Sequence, residues 1–173
     1  MRAFEFWKTV TMDRTDLLEQ LLGLLRELGM RYCVVGGQAV NAYVEPLVSL
    51  DLDLVVATDQ LESFESQLRA SFRVEKFPHS LNVSQAGSDL RIQVQTDPRY
   101  ARFLERATQR EILGTLMSVA AVEDVLQGKI WAVADQALRP SKRQKDLADI
   151  ARLLERFPHL RDRVPADVLP RLV

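Results

Sequence analysis

Two aspartates one residue apart, Asp51 and Asp53, interrupt an apolar run in SLDLDLVV, and two glycines, Gly36 and Gly37, close the apolar run YCVV. Side chains alternate between the two faces of a strand, so Asp51 and Asp53 share a face with Ser49 and Val55 while Leu50, Leu52, Leu54 and Val56 point the other way. Two carboxylates that close repel and raise each other's pKa unless a cation or hydrogen-bond donors stand between them. A hard divalent ion removes the cost, and Mg²⁺ or Mn²⁺ suits oxygen ligands while accepting phosphate oxygens as further ligands. The glycine pair belongs to the same chemistry, because backbone without side chains approaches a phosphate closely and a following helix presents free N–H groups to it. Alone, a Gly-Gly pair is ordinary turn chemistry and an Asp-X-Asp is an ordinary sheet face. In the order strand, Gly-Gly, short helix, Asp-Leu-Asp strand, they point to a nucleoside triphosphate (NTP) substrate with a Mg²⁺ or Mn²⁺ cofactor.

The elements that must position these groups are legible from periodicity. Leucines at 17, 18, 21, 22, 24, 25 and 28 mark an amphipathic helix over 13–28, capped by Asp13, Thr15 or Asp16 and ended by Gly29. A short strand over 31–35, a Gly36-Gly37 turn and a short helix over 38–44 follow, the last stopped before Pro46. The Asp51 strand is expected over 47–56, and a helix over 60–71 carries Leu61, Phe64 and Leu68 on one face. Segments 73–77 and 80–84 are marginal strands. Residues 89–96 alternate cleanly, with Leu90, Ile92 and Val94 on one face and Arg91, Gln93 and Gln95 on the other. From Pro98 onward the expectation is helical, over 100–107, 122–138 and 144–156, with a basic loop over 139–143. The fold class is therefore α+β, of α/β type, a small mixed sheet flanked by helices with a C-terminal helical section, divided at 1–97 and 98–173 and packed as a single compact unit.

Composition sets the outer bounds. At 173 residues, 47% hydrophobic and 27% charged, the chain can bury one real core and is not of disordered composition. A net charge of −1 gives no global pull toward nucleic acid or an anionic membrane. One cysteine, Cys33, leaves no internal disulfide, and no apolar window approaches a membrane span, so the expectation is a cytoplasmic protein without membrane association. His79 and His159 read as surface residues. Trp7, Trp131, Phe4, Phe6 and Phe157 read as core or docking contacts rather than a base-stacking platform. The cluster RPSKRQK over 139–145 reads as a solvated turn, with contact to RNA or an acidic partner as the alternative.

The segments VVGGQAVNAY and SLDLDLVV resemble the signature of the nucleotidyltransferase superfamily, the polymerase-β-like fold. Within it the chain is similar to small bacterial toxin–antitoxin nucleotidyltransferases of the AbiEii and MNT types, and VEDVLQGKIWAVADQALRPSKRQKDLADIARLL resembles the C-terminal helical motif of the AbiEii-like group. The resemblance implies that Gly36 and Gly37, with Gln38 and Ser49 beside them, lie at the nucleotide phosphates. It further implies that Asp51 and Asp53 hold the metals, that Lys129 approaches a phosphate, and that Asp146, with Asp149, lies near the nucleotide. Lys145, Asp146 and Asp149 also read as helix-surface pairing with Arg143 or Arg152.

One departure touches the chemistry. Active members carry a third carboxylate on a later strand, completing a two-metal site. Here that strand reads SDLRIQVQTD, with Gln93 and Gln95 on its polar face and Asp89 and Asp97 only at its ends. A glutamine carbonyl can ligate a metal, but it brings no charge and cannot act as a general base. Two functions follow. In the first, the protein is a metal-dependent nucleotidyltransferase moving a nucleoside monophosphate from an NTP to a hydroxyl of tRNA, protein or a small molecule, in a toxin–antitoxin setting or outside one. In the second, it is a catalytically impaired nucleotidyltransferase-fold module that binds a nucleotide or a toxin–antitoxin partner.

Overall fold

The computed structural model describes residues 16–112 and 114–172. Helix α1, Leu17–Glu27, buries Leu17, Leu18, Leu21, Leu22 and Leu25 along one stripe. Gly29 ends it at φ 59, where only glycine is unstrained. Met30 N–H then donates to Leu25 O at 2.9 Å and Gly29 N–H to Arg26 O at 3.1 Å, which satisfies carbonyls the helix end leaves open. Asp16 sits at the N-cap position, whereas Asp13 and Thr15, like Phe4, Phe6 and Trp7, lie outside the described residues.

Strand β1, Tyr32–Val35, runs directly into helix α2, Gly36–Asn41, so the glycines form the first turn of the helix rather than a turn ahead of it. Strand β2 is Asp51–Val56, shorter than expected because Leu47 and Val48 stay exposed in the loop before it. Helix α3, Leu61–Ser71, precedes β3, Arg73–Phe77, β4, Ser80–Ser84, and β5, Arg91–Gln95, so both marginal segments are strands. After a 3₁₀ segment over 98–106 come β6, Thr108–Ile112, and β7, Thr115–Val119. This hairpin corrects the expectation of helix from Pro98 onward. The QREI and TLMSV stretches are too short for their alternation to stand out, and pairing of β7 with β1 is what holds them extended. Helix α4, Val122–Ala134, and helix α5, Pro140–Arg156, complete the main elements.

The strands form one mixed sheet in the order β3-β4-β5-β2-β1-β7-β6. β1 and β2 are antiparallel, while β2 with β5 and β1 with β7 are parallel. Leu52, Leu54, Ile92, Val94, Leu81 and Val83 are buried on one face in a core continuous with α1, α3, α4 and α5. The opposite face carries a polar row fixed by register. Val35, Asp53, Gln93, Asn82 and Glu75 are successive partners across β1, β2, β5, β4 and β3. Direct partners project to the same side of a sheet, so the α+β architecture turns Asp53, Gln93, Asn82 and Glu75 to one surface.

Candidate functional site

Asp51 and Asp53 open β2, next to the C-terminal end of β1, and Gly36 begins α2 beside them. The Cα atoms of the two aspartates are about 6.6 Å apart at the rise of a strand, which lets the carboxylates converge on one small ligand. Gly36 holds φ 69, and a Cβ at this position would overlap Asp53 Oδ2 and stand 3.0 Å from its Cγ. Glycine is required here twice over, by backbone conformation and by the carboxylate packed against it. Gly37 is less constrained, with Asp149 Oδ2 3.9 Å from where a Cβ would be.

Gln38 is fully buried, and its Nε2 donates to Ser49 O at 3.2 Å while its Oε1 accepts from Asn41 Nδ2 at 3.2 Å. Asn41 in turn donates to Leu47 O at 2.7 Å and accepts from Leu47 N–H at 3.0 Å. These bonds hold the loop that delivers Asp51, whose own N–H donates to Ser49 Oγ at 3.2 Å. The structure thus places Gln38 and Ser49 behind the aspartates as props.

The charges around the pair are uneven. Asp51 is directly opposite Arg91 on β5, and Arg91 Nε lies 2.7 Å from Asp51 Oδ1. Asp53 has no such partner among the described residues. Burial pushes its carboxyl above the usual range, Lys129 and Lys142 pull it back, and Asp51 and Asp146 add to the rise. Gln93 faces Asp53 across the strand pair. Among the described residues no group of three or more His, Cys, Asp or Glu side chains could hold a metal. Asp97 caps the 3₁₀ segment and is bound by Arg99 at 2.9 Å, and exposed Asp89 borders none of the site's cavities. Glu75 is on the same face, but three strand spacings of about 4.8 Å put it roughly 14 Å from Asp53, too far to share an ion.

Lys129 on α4 is buried between two carboxylates of α5, with Nζ 2.7 Å from Asp146 Oδ1 and 2.8 Å from Asp149 Oδ2. Burial pulls its pKa down most strongly, yet Asp149 and Asp146 together outweigh it and the ammonium is held above its ordinary value. Arg152 adds a second cation, bonding Asp149 Oδ1 at 2.8 Å and Glu45 O at 2.5 Å. The surface placement of Asp146 and Asp149 is corrected here, since both are inside the molecule, while the expected pairing of Asp149 with Arg152 is present. Asp146 Oδ2 is buried without a hydrogen-bond partner among the described residues, a costly condition that a donor on a ligand or a water would relieve.

Three adjoining cavities meet over these groups. One of about 450 Å³ is lined by Asp51, Asp53, Glu75, Arg91, Arg139 and Lys142, among others. A second, of about 570 Å³, lies between Gln95, Asp97, Tyr100, Trp131, Asp135 and Lys142. A small one of about 90 Å³ reaches Gly36, Asp53, Lys129 and Asp146. Gln93 and Lys142 border all three. Lys142 makes no ion pair among the described residues, and the motif reading passed over it as part of a solvated basic loop. Its signal was Pro140, a residue favoured in a first helical turn: α5 begins there, so Lys142 is fixed to a helix rather than carried on a loop.

Trp131 is no open platform. Arg99 lies over its ring at 4.7 Å, Phe103 stacks with it at 5.7 Å between centroids and Tyr100 meets it edge-on at 5.3 Å, which agrees with the packing role expected of it. His79 borders the second cavity, and Phe157 meets the Tyr43 ring and His159 edge-on.

Comparison with solved structures places this architecture. The chain superimposes on ANT(2'')-Ia in complex with adenylyl-2''-tobramycin with a TM-score of 0.61 at 16% identity, covering 91% of this chain and 97% of that one. The lincosamide antibiotic adenylyltransferase LnuA, lincomycin-bound, matches with a TM-score of 0.55 at 9% identity over 79% of this chain and 95% of that one. A putative nucleotidyltransferase from Thermotoga maritima matches with a TM-score of 0.50 at 11% identity, over 66% and 81%. No family model and no curated protein matches the sequence. The chain has the fold of these nucleotidyltransferases, as the Gly-Gly and Asp-Leu-Asp segments led us to expect.

Proposed function

We propose that the protein is a nucleotidyltransferase of this fold that transfers a nucleoside monophosphate from an NTP to a hydroxyl group. The observation that carries the reading is the packing of Gly36 against Asp53 beside adjoining cavities that Gln93 and Lys142 both line, with Asp51 in the larger of the two. Two carboxylates and an amide oxygen are hard donors that fit one Mg²⁺ or Mn²⁺ ion, with Asp51 and Asp53 as protein ligands and Gln93 as a neutral third. When bound, that ion neutralises phosphate charge and steadies the leaving pyrophosphate.

The chain's own residues supply the remainder. Gly36 gives the Asp53 carboxylate room to lie against the start of α2. Lys142, without an ion pair among the described residues, is the cation we assign to the triphosphate, whereas Lys129 is committed to Asp146 and Asp149 and acts through them on the position of α5. Asp146 Oδ2 offers an acceptor to a donor entering the small cavity. The two larger cavities have volumes typical of small-ligand sites and flank Lys142, one for each substrate. The acceptor they suit is a small hydroxylated molecule, and two neighbours of the same fold are bound to adenylyl-2''-tobramycin and to lincomycin. The resemblance to AbiEii- and MNT-type proteins supports tRNA or a partner protein instead.

Incubation with radiolabelled NTPs, Mg²⁺ or Mn²⁺, and separate arms of metabolite extract, tRNA and lysate protein tests both levels. Label transfer lost in Asp53→Ala supports the reading, and the labelled arm names the acceptor class. NTP binding without transfer in any arm overturns it in favour of the second reading, a nucleotide-binding module without turnover. Gln93 opposite Asp53, where a third carboxylate is needed, favours that second reading.

A further inference from the structure

The strand that lacks the third carboxylate contributes a cation instead. Arg91 and Asp51 are direct partners on parallel β5 and β2, and Nε sits 2.7 Å from Oδ1. The guanidinium therefore occupies a lone pair that a divalent ion would use. Arg91, Asp51, Asp53 and Gln93 line the same cavity. Together these four carry a formal charge of −1, whereas three carboxylates would carry −3. That is little negative charge for one divalent ion and far too little for two held about 4 Å apart. The Arg91 side chain is 69% exposed while Asp51 is 31% exposed, so the arginine can leave without opening the core.

We propose that Arg91 is a resident counter-ion of the metal site, competing with the divalent ion for Asp51 and restricting the site to one ion. On entry of a metal–nucleotide the guanidinium leaves Asp51 Oδ1 and turns toward the anionic ligand in the same cavity. This rests on the assignment of Asp51 and Asp53 as metal ligands. It goes beyond that assignment in stating how many ions bind and which side chain controls their loading.

Direct Mn²⁺ binding tests it without turnover, by titration followed in solution EPR or calorimetry with the metal alone, on the whole chain. We expect one ion in the wild type, about fivefold tighter binding in Arg91→Ala, the size of an exposed ion pair's contribution, and a narrowing of that gap in 1 M KCl. Gln93→Asp is expected to raise the stoichiometry toward two, and more fully when combined with Arg91→Ala. A wild-type stoichiometry of two, or an Arg91→Ala affinity within twofold of wild type, overturns the proposal while leaving the metal assignment intact. Absence of Mn²⁺ binding in every variant overturns both. Tighter Mn²⁺ binding in Arg91→Ala with no nucleotide transfer supports the counter-ion role and moves the function to the non-catalytic reading.

Discussion

Gly36 and Asp53 are the most tightly coupled residues of the site, and each yields a prediction at its own scale. Gly36→Ala combines a left-handed φ with a Cβ driven into the Asp53 carboxylate, so the variant is expected to lose about 1–3 kcal/mol of stability and most of its nucleotide affinity. Urea unfolding and equilibrium binding of ATP with Mn²⁺ measure the two effects. Asp53→Asn is expected to act in the opposite sense on stability. The folded-state pKa of Asp53 lies above its ordinary 3.8, so the folded protein holds this proton more tightly than the unfolded chain does. Stability from this group is present below pH 3.8 and declines as pH rises through the folded value, leaving at neutral pH a buried carboxylate that Lys129 and Lys142 only partly offset. In EDTA at pH 7 the Asn variant should melt a few degrees higher, the effect of about 1 kcal/mol in a chain of this size, with the gap shrinking toward acid pH. A melting temperature unchanged or lower at pH 7 would contradict it.

Helices α4 and α5 are joined by a buried ionic core rather than by apolar packing alone. Lys129 on α4 pairs with Asp146 and Asp149 on α5, and Arg152 extends the network to Glu45 O in the loop before β2. Removing one partner of such a group leaves buried charge without compensation, which typically costs about 3–5 kcal/mol. Lys129→Met is therefore expected to fall by that amount in urea unfolding, and Lys129→Met/Asp146→Asn to recover part of it. Asp146→Asn measured alone completes the cycle, and a double-variant loss equal to the sum of the two single losses would show that the pair is not coupled. The motif LQGKIW…KDLAD was visible in the sequence, but a Lys-Asp-x-x-Asp on a helix has the same spacing whether it faces water or a neighbouring helix. Burial decides between the two, and burial belongs to the packed pair. The β6–β7 hairpin was hidden for a related reason, since five-residue strands become strands by pairing and the partner β1 lies more than 70 positions away in the chain.

At the scale of the molecule, one sheet face, two helices and three connected cavities define the site, and Lys142 is where they meet. Lys142→Ala is expected to weaken triphosphate binding about tenfold while nucleoside binding changes little, because only the phosphates carry the charge it meets. Calorimetric titrations of ATP and adenosine compare the two, and equal weakening of both would remove Lys142 from the phosphate site. Among the described residues no helix is long and apolar enough to cross a membrane.

The sequence by itself determined the groups that lie close along the chain. YCVVGGQAV and SLDLDLVV were readable because a strand's two-residue period and glycine's conformational freedom act within a few residues. They pointed to the fold class and to the shared face of Asp51 and Asp53, and the alternation over 89–96 gave the polar parity of Arg91, Gln93 and Gln95. The tertiary structure alone decided which distant residues meet them. Register placed Gln93 across from Asp53 and Arg91 across from Asp51, and the packing of α4 on α5 buried Lys129 while leaving Lys142 at the cavities. A strand's alternation shows which way a side chain points, but only the pairing of strands and helices settles what it finds there.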